Sequence, residues 1–174
     1  IEYSEPVNTS KKGYAFFHEL FEKRHSKILS KAIKKQTIGI LIVFAVLIGL
    51  LIFFPQSKQD VNDIVLNMLP YFLLLMYYLN RGTILTQAMF MNCDHSMLTY
   101  RIFRTKKVIL GLFKERLKTL IKYNIIPATI MGVGMSLLLL ISGGTNNPIN
   151  YFVITISIIS MSIFFSIHYL VLYY

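Results

Sequence analysis

Three stretches of the chain are apolar, free of charge and long enough to cross a bilayer as helices. Residues 37–54 (TIGILIVFAVLIGLLIFF) hold no charged side chain, and as a helix they extend about 27 Å. Residues 123–141 and 151–174 also lack Asp, Glu, Lys and Arg. A hydrocarbon core about 30 Å thick requires segments of this kind, so each stretch predicts a transmembrane helix.

Residues 64–85 form a fourth apolar stretch, which is interrupted by two residues that matter for its conformation. Pro70 removes a backbone donor and predicts a kink whose freed carbonyl is satisfied by neighbouring helices. Arg81 lies near the end of the stretch, where its long side chain can reach the membrane surface. The alternative is a functional arginine within a conduction path. We predict a kinked second crossing.

The N-terminal region has the pattern of an amphipathic helix. Residues 1–9 read as an irregular lead-in, and Ser10 is a candidate N-cap for a helix over residues 11–35. Apolar residues recur near helical spacing among many lysines, which is typical of a helix lying in the membrane interface. The alternative is a helix packed on a soluble domain. We therefore divide the chain into residues 1–36, the lead-in and interfacial helix, and residues 37–174, the transmembrane domain.

Residues 86–122 separate the second and third predicted spans and are expected to contact a soluble partner. Asp94 is a candidate N-cap for a short helix with the sequence HSMLTYR. A second amphipathic helix, from Lys106 to Lys122, is predicted to lie along the inner leaflet and lead into the third span. A short helix held between two spans can dock into a groove of a partner protein. A merely solvated loop is the alternative.

Composition and charge place these elements in a membrane. Apolar residues make up 55% of the chain and the mean hydropathy is +0.56, whereas soluble domains average about 45–50% apolar. All of the eighteen Lys and Arg residues except Lys58 lie before the first span or between Arg81 and Lys122. By the positive-inside rule, both ends of this chain are cytoplasmic. We predict an all-α integral membrane protein of the cell membrane with about four spans.

Several other partners and chemistries are not expected. The net charge of +10 comes with no nucleic-acid-binding motif, and the single Cys93 cannot form an intrachain disulfide. The chain has no phosphate-binding loop of the form G-x-x-x-x-G-K-[ST], so it does not hydrolyse ATP by itself. His18, Glu22 and His25 share a helix face, but solvation explains them better than a metal site. We therefore assign no catalytic residue, metal or cofactor to this chain.

Small residues in the third predicted span indicate close helix packing. Ala128, Gly132 and Ser136 are spaced four apart on one face, which allows another helix to approach closely. The chain starts at Ile1 and stops within an apolar run, so we expect a piece of a longer protein. Further transmembrane helices would come from the same chain or from a second one.

The order of these elements resembles a known family. A basic N-terminal helix and two spans precede the motif MFMNCDHSMLTYRIFR, and two more spans follow it. Together with KKGYAFFHELFEKRH and SIFFSIHYLVLYY, this order resembles the permease subunits of bacterial ATP-binding-cassette exporters of the ABC-2 type. The resemblance implies a separate ATPase partner, which would bind ATP and Mg²⁺. It implies that the main coupling residues are Asp94, His95, Ser96, Met97, Leu98, Tyr100 and Arg101, with a secondary contact at His18, Phe21, Glu22 and His25.

Two other function classes stay open from the residues alone. An ion-coupled carrier would usually place a carboxylate within the membrane, and the predicted spans contain none. A membrane enzyme acting on lipids or lipid-linked groups would need several polar groups converging at the membrane face, where Asp94, His95 and Arg101 are available. A permease requires no chemistry within the membrane, so we favour it, with an amphipathic or hydrophobic substrate.

Overall fold

Two long helices link the lysine-rich regions of the chain to its apolar stretches. The structure, a computed structural model, describes residues 13–80, 82–95 and 99–174, which are 90% helical and include no strand. Helix α1 (Tyr14–Phe53) has 40 residues and helix α5 (Lys106–Ile141) has 36. Between them lie α2 (Lys58–Asn67), α3 (Phe72–Leu79) and α4 (Gly82–Met89), and α6 (Ile149–Tyr173) ends the chain. We call the end of the molecule that carries the first halves of α1 and α5 the basic end.

Three of these helices are long and apolar enough to cross a membrane. They are Leu29–Phe53 within α1, Lys106–Ile141 and Ile149–Tyr173. Over the charge-free parts of these helices the outward side chains are largely apolar, such as Phe53, which is 81% exposed. Such surface requires lipid to cover it. The chain is therefore an all-α multi-pass membrane protein, as the charge-free stretches predict.

Helix α1 is continuous across residue 36, where we had predicted a boundary between an interfacial helix and a span. No proline or cap interrupts the chain between Lys31 and Ile40, so a change from basic to apolar residues leaves the backbone hydrogen bonds intact. The two halves nevertheless run differently. From His18 to Leu29, α1 advances about 16 Å, while its contacts on α5 stay near Thr119 and Leu120. The first half therefore crosses α5 steeply.

The second half of α1 runs beside α5. A Cβ added to Gly134 of α5 would lie 2.5 Å from the Phe44 ring. Between Leu29 and Phe44 the contacts on α5 thus move from Leu120 to Gly134, nearly as far as α1 itself advances. The amphipathic region and the first predicted span are two parts of one continuous helix.

Helix α5 also passes through a predicted boundary. We expected a helix along the inner leaflet over residues 106–122 and a separate span afterwards. Instead, residues Arg116 to Asn124 run antiparallel beside the last turns of α6, as contacts from Arg116 to Tyr174 and from Asn124 to Ser166 show. Packing against α6 keeps this part of α5 from turning along a leaflet.

The second predicted span, residues 64–85, is broken rather than singly kinked. A short 3₁₀ turn over Leu69–Tyr71 contains Pro70 and separates α2 from α3. A further break occurs at Asn80, whose backbone is extended. The segments Pro55–Asn67 and Phe72–Met89 meet at 78°. The molecule therefore has three candidate spans, or four if this bent pair crosses as one.

The packing core has two parts. The larger part joins α1, α3, α5 and α6 and includes Phe44, Met76, Leu139 and Ile158. A smaller part lies at the basic end, where Leu29, Leu85, Met89, Leu120 and Leu170 meet. The second cluster fixes α4 against three other helices, and so positions the segment that follows α4.

The small residues of α5 lie against α6. Ala128 is 1% exposed, and a Cβ added to Gly132 would lie 3.1 Å from the backbone Cα of Thr155. The Ser136 hydroxyl donates to the backbone oxygen of Tyr151 at 3.0 Å. The absence of larger side chains on this face is what brings α5 and α6 this close.

Candidate functional site

The segment that follows the break at Asn80 and leads to α5, Gly82–Arg104, forms the candidate site and is called the connecting segment here. It includes α4. Helix α4 continues through a π-helical turn over Phe90–Asp94, and a 3₁₀ turn over Arg101–Arg104 precedes α5. π turns are rare overall, but those that occur are often found at functional sites, because they redirect the side chains that follow. The sequence carries no recognisable signal for this turn.

A buried ion pair fixes the connecting segment to the rest of the bundle. Asp94 is 0% exposed and the side chain of Arg116 is 3% exposed. Arg116 Nη2 donates to Asp94 Oδ1 at 2.5 Å, and Arg116 Nη1 donates to Asp94 Oδ2. The planar guanidinium therefore meets the carboxylate with two parallel bonds, the strongest geometry for such a pair.

Two tyrosines at the end of α6 complete this cluster. The Tyr173 hydroxyl donates to Asp94 Oδ2 at 2.5 Å, and Arg116 Nη1 also donates to the Tyr174 hydroxyl. The guanidinium carbon lies 5.6 Å from the centre of the Tyr174 ring. The cluster of Asp94, Arg116, Tyr173 and Tyr174 thus joins the connecting segment, α5 and α6 at one point.

This geometry corrects the role that the sequence indicated for Asp94. We had predicted an N-cap that also contacts a partner, but Asp94 lies inside a helical turn and its carboxylate faces the protein interior. A fully buried side chain cannot touch a partner. In this structure its carboxylate holds the connecting segment against α5.

The other predicted contact residues of this segment fall into two groups. His95, Tyr100 and Arg101 are exposed, and Tyr100 is 65% exposed. Ser96, Met97 and Leu98 lie outside the described residues. Two further side chains, Phe90 and Met91, expose apolar surface before the ion pair, with Met91 75% exposed. Accessible apolar residues therefore flank the cluster. Of these, Tyr100 was predicted from the sequence, but Phe90 and Met91 were not.

The secondary contact predicted on α1 is largely engaged within the molecule. His18 is buried, with its Nε2 2.7 Å from the Thr119 hydroxyl. Glu22 accepts a bond from Lys122 Nζ at 2.9 Å, so His18 and Glu22 contact different residues of α5. The side chains of Phe21 and His25 lie outside the described part of the chain. The described residues contain no group of three metal-binding side chains.

The break at Asn80 is a second polar centre, and sequence reasoning missed it. Asn80 Oδ1 accepts from the backbone N–H of Gly82 at 2.9 Å, and its Nδ2 donates to Ser166 Oγ at 3.2 Å. Asn124 Nδ2 donates to Asn80 Oδ1 at 3.2 Å, and Gln36 Nε2 donates to the Leu79 backbone oxygen at 2.6 Å. Two backbone groups at the break are thus satisfied by side chains, the Leu79 carbonyl by Gln36 of α1 and the Gly82 N–H by Asn80 itself. Asn124 of α5 and Ser166 of α6 hold the Asn80 side chain.

The height of this break in the bundle follows from the charges around it. Lys35 and Lys122 are each the last lysine before a charge-free stretch. Gln36 follows Lys35 by one position, and Asn124 follows Lys122 by two. The break therefore lies where the basic end meets the apolar part of the molecule. A glycine is required beside it, since a Cβ on Gly82 would lie 2.5 Å from the Tyr169 ring.

No protein-family model, curated protein or solved structure matches this chain.

Proposed function

We propose that the chain is a transmembrane permease component of an ATP-driven exporter of the ABC-2 type, which couples to a separate ATPase through its connecting segment. One observation carries the proposal. An exposed segment between membrane helices is tied by the buried Asp94–Arg116 pair to α5 and α6. Movement imposed on the segment would therefore reach two membrane helices directly.

The surface beside the ion pair has the properties of a docking site. Phe90, Met91 and Tyr100 expose apolar area at the basic end, where water rather than lipid would otherwise cover it. Exposed apolar groups outside the membrane mark interaction sites. The positive-inside rule places this end in the cytoplasm, where ATP and Mg²⁺ are available to a soluble ATPase.

The Asn80 break provides a way for such movement to change the membrane part. Broken helices in transporters concentrate conformational change where irregular backbone is held by protein groups. Here α4, the first part of the connecting segment, packs against α1, α5 and α6 below the break, and α3 packs against the apolar core above it. A pull on the connecting segment would thus be absorbed at Asn80, while α5 and α6 tilt.

The two rival classes find less support. The Asp94 carboxylate is engaged by Arg116 and Tyr173, so it is not free to act as the base of a membrane enzyme. For an ion-coupled carrier, the buried polar groups at the break are amides and hydroxyls, which do not titrate in the range that proton coupling needs. A permease uses both features as they stand, and its substrate would be amphipathic or hydrophobic.

The proposal is tested by co-purification of the protein with ABC-type ATPases of its host. We expect the wild-type protein to retain one such ATPase, and its ATP hydrolysis to change when the two are reconstituted together. Met91→Asp and Tyr100→Ala should lose the ATPase while membrane insertion is unchanged. Phe53→Ala, which alters an equally exposed residue at the opposite end, should retain it. An ATPase kept by both connecting-segment variants, or none with the wild type, contradicts the proposal.

A further inference from the structure

Four lysines form one exposed stripe on α1 just before its charge-free part. Lys27, Lys31, Lys34 and Lys35 are all exposed, and at 100° per residue they fall within about 100° of the helix circumference. The opposite side of the same turns is the buried one. Its residues Leu29, Ile33, Gln36 and Ile40 are at most 8% exposed. The stripe therefore faces away from the bundle.

The charge of this stripe is not neutralised within the described structure. None of the four lysines forms an ion pair with a described residue, while the nearby acidic side chains are occupied elsewhere. Glu22 pairs with Lys122 at 2.9 Å, and Glu115 pairs with Lys118 at 2.8 Å. Four positive charges therefore lie side by side, and each like-charge neighbour raises the cost of leaving the stripe without an anion.

The four lysines cover about 12 Å of α1, directly before its charge-free part. On the buried side of the same turns, Leu29 and Ile33 line one cavity with Leu120 and Asn124. This cavity lies at the border between the basic end and the charge-free stretches. On the outward face, the next turns of α1 expose Ile38 and Ile42, both more than half exposed. The same face thus passes from ammonium groups to apolar side chains, as a bilayer passes from headgroups to acyl chains.

We propose that Lys27, Lys31, Lys34 and Lys35 bind the phosphate headgroups of anionic phospholipids. The lysine stems can lie along the apolar face while the ammonium groups reach the headgroup layer. A basic residue near an anionic leaflet strengthens association about five-fold. The lipid would hold the first half of α1 at the membrane surface. This site is independent of the proposed exporter function, since it requires no ATPase.

The test is native mass spectrometry of the full chain in detergent micelles containing phosphatidylglycerol or phosphatidylcholine. The wild-type protein should bind phosphatidylglycerol in preference to phosphatidylcholine. The triple variant Lys27→Gln, Lys31→Gln and Lys34→Gln should weaken phosphatidylglycerol binding by about 100-fold, from about five-fold per lysine. Lys34→Gln alone should weaken it about five-fold, and it provides the result if the triple variant does not fold.

A matched control removes the same charge elsewhere. Arg104, Lys106 and Lys107 are exposed at the start of α5 and just before it, and the two lysines lie about 20–21 Å along the helix axis from Leu120. This exceeds the screening length of about 10 Å, so their triple replacement by Gln should leave lipid binding within about two-fold. Equal losses in both variants would overturn the proposal. Unchanged lipid binding in the stripe variant would also overturn the proposal, and this holds even where that variant has lost a protein partner instead.

Discussion

The buried pair of Asp94 and Arg116 makes the sharpest stability prediction. In Arg116→Met, the carboxylate of Asp94 stays in the interior without its two guanidinium bonds, since it is 0% exposed in the folded protein. Removing one partner of a buried ion pair typically costs about 3–5 kcal/mol. This is a large part of the about 5–15 kcal/mol by which proteins are stable. Asp94→Leu should cost a similar amount, because the guanidinium then lacks its counter-charge.

A double variant separates the contribution of the ion pair to the free energy of unfolding from that of the packing around it. Replacing both residues by apolar ones, as in Asp94→Leu with Arg116→Met, leaves no unpaired charge, and such replacements are often close to neutral. The Tyr173 and Tyr174 hydroxyls lose their partners, and because both bonds are only partly buried, each loss costs about 0.5–1.5 kcal/mol, as for an ordinary hydrogen bond. We therefore expect the double variant to be more stable than the sum of the single changes predicts, by about 3 kcal/mol or more.

The assay is reversible unfolding in detergent micelles by a denaturing detergent, followed by circular dichroism. Lys118→Met is the matched control, because it breaks an ion pair on the same helix whose lysine is 61% exposed. Exposed pairs contribute about 0–1 kcal/mol, so this variant should unfold close to the wild type. A cost below about 1 kcal/mol for Arg116→Met, or additive single changes, would refute the reasoning.

Two further predictions concern helix packing and the broken span. Gly132→Ala should destabilise the protein by about 1–3 kcal/mol, because the new Cβ would lie 3.1 Å from the Thr155 backbone. Gly49→Ala meets nothing within 4 Å and should be neutral or stabilising by up to about 1 kcal/mol; equal effects in the same unfolding assay would contradict this packing. Asn80→Ala should cost about 2–4 kcal/mol, since the Gly82 cap and the bond from Asn124 are lost together. A stability within 0.5 kcal/mol of wild type would show that the break does not depend on its amide.

The membrane helices could be predicted because their signal is local. An uninterrupted charge-free stretch of sufficient length has few alternatives to a transmembrane helix. The predicted boundaries at residues 36 and 122 do not coincide with helix ends, for a related reason. Charge decides where a helix is solvated, but backbone hydrogen bonds decide where it ends. No proline separates the basic and apolar parts of α1 at that point.

The two polar centres, at Asp94 and at Asn80, could not be predicted from the sequence because each brings together residues that are far apart in the chain. Asp94 and Arg116 are 22 positions apart, and their contact requires the π turn that directs Asp94 inward. Asn80 likewise meets Asn124 and Ser166 only after α5 and α6 have packed. A polar side chain within an apolar stretch was the available signal, and its partner was not readable from spacing alone.

Coupling through the connecting segment is tested most directly by photo-crosslinking in native membranes. A benzophenone amino acid would replace Met91 or Tyr100, which are 75% and 65% exposed. Phe53, which is 81% exposed, serves as the control position, because it lies at the C-terminal end of α1, away from the basic end. We predict that both connecting-segment positions form adducts with a protein bearing a G-x-x-x-x-G-K-[ST] phosphate-binding loop, and that Phe53 forms none. Adducts only with proteins lacking that loop, or the same adducts from Phe53, would contradict the account.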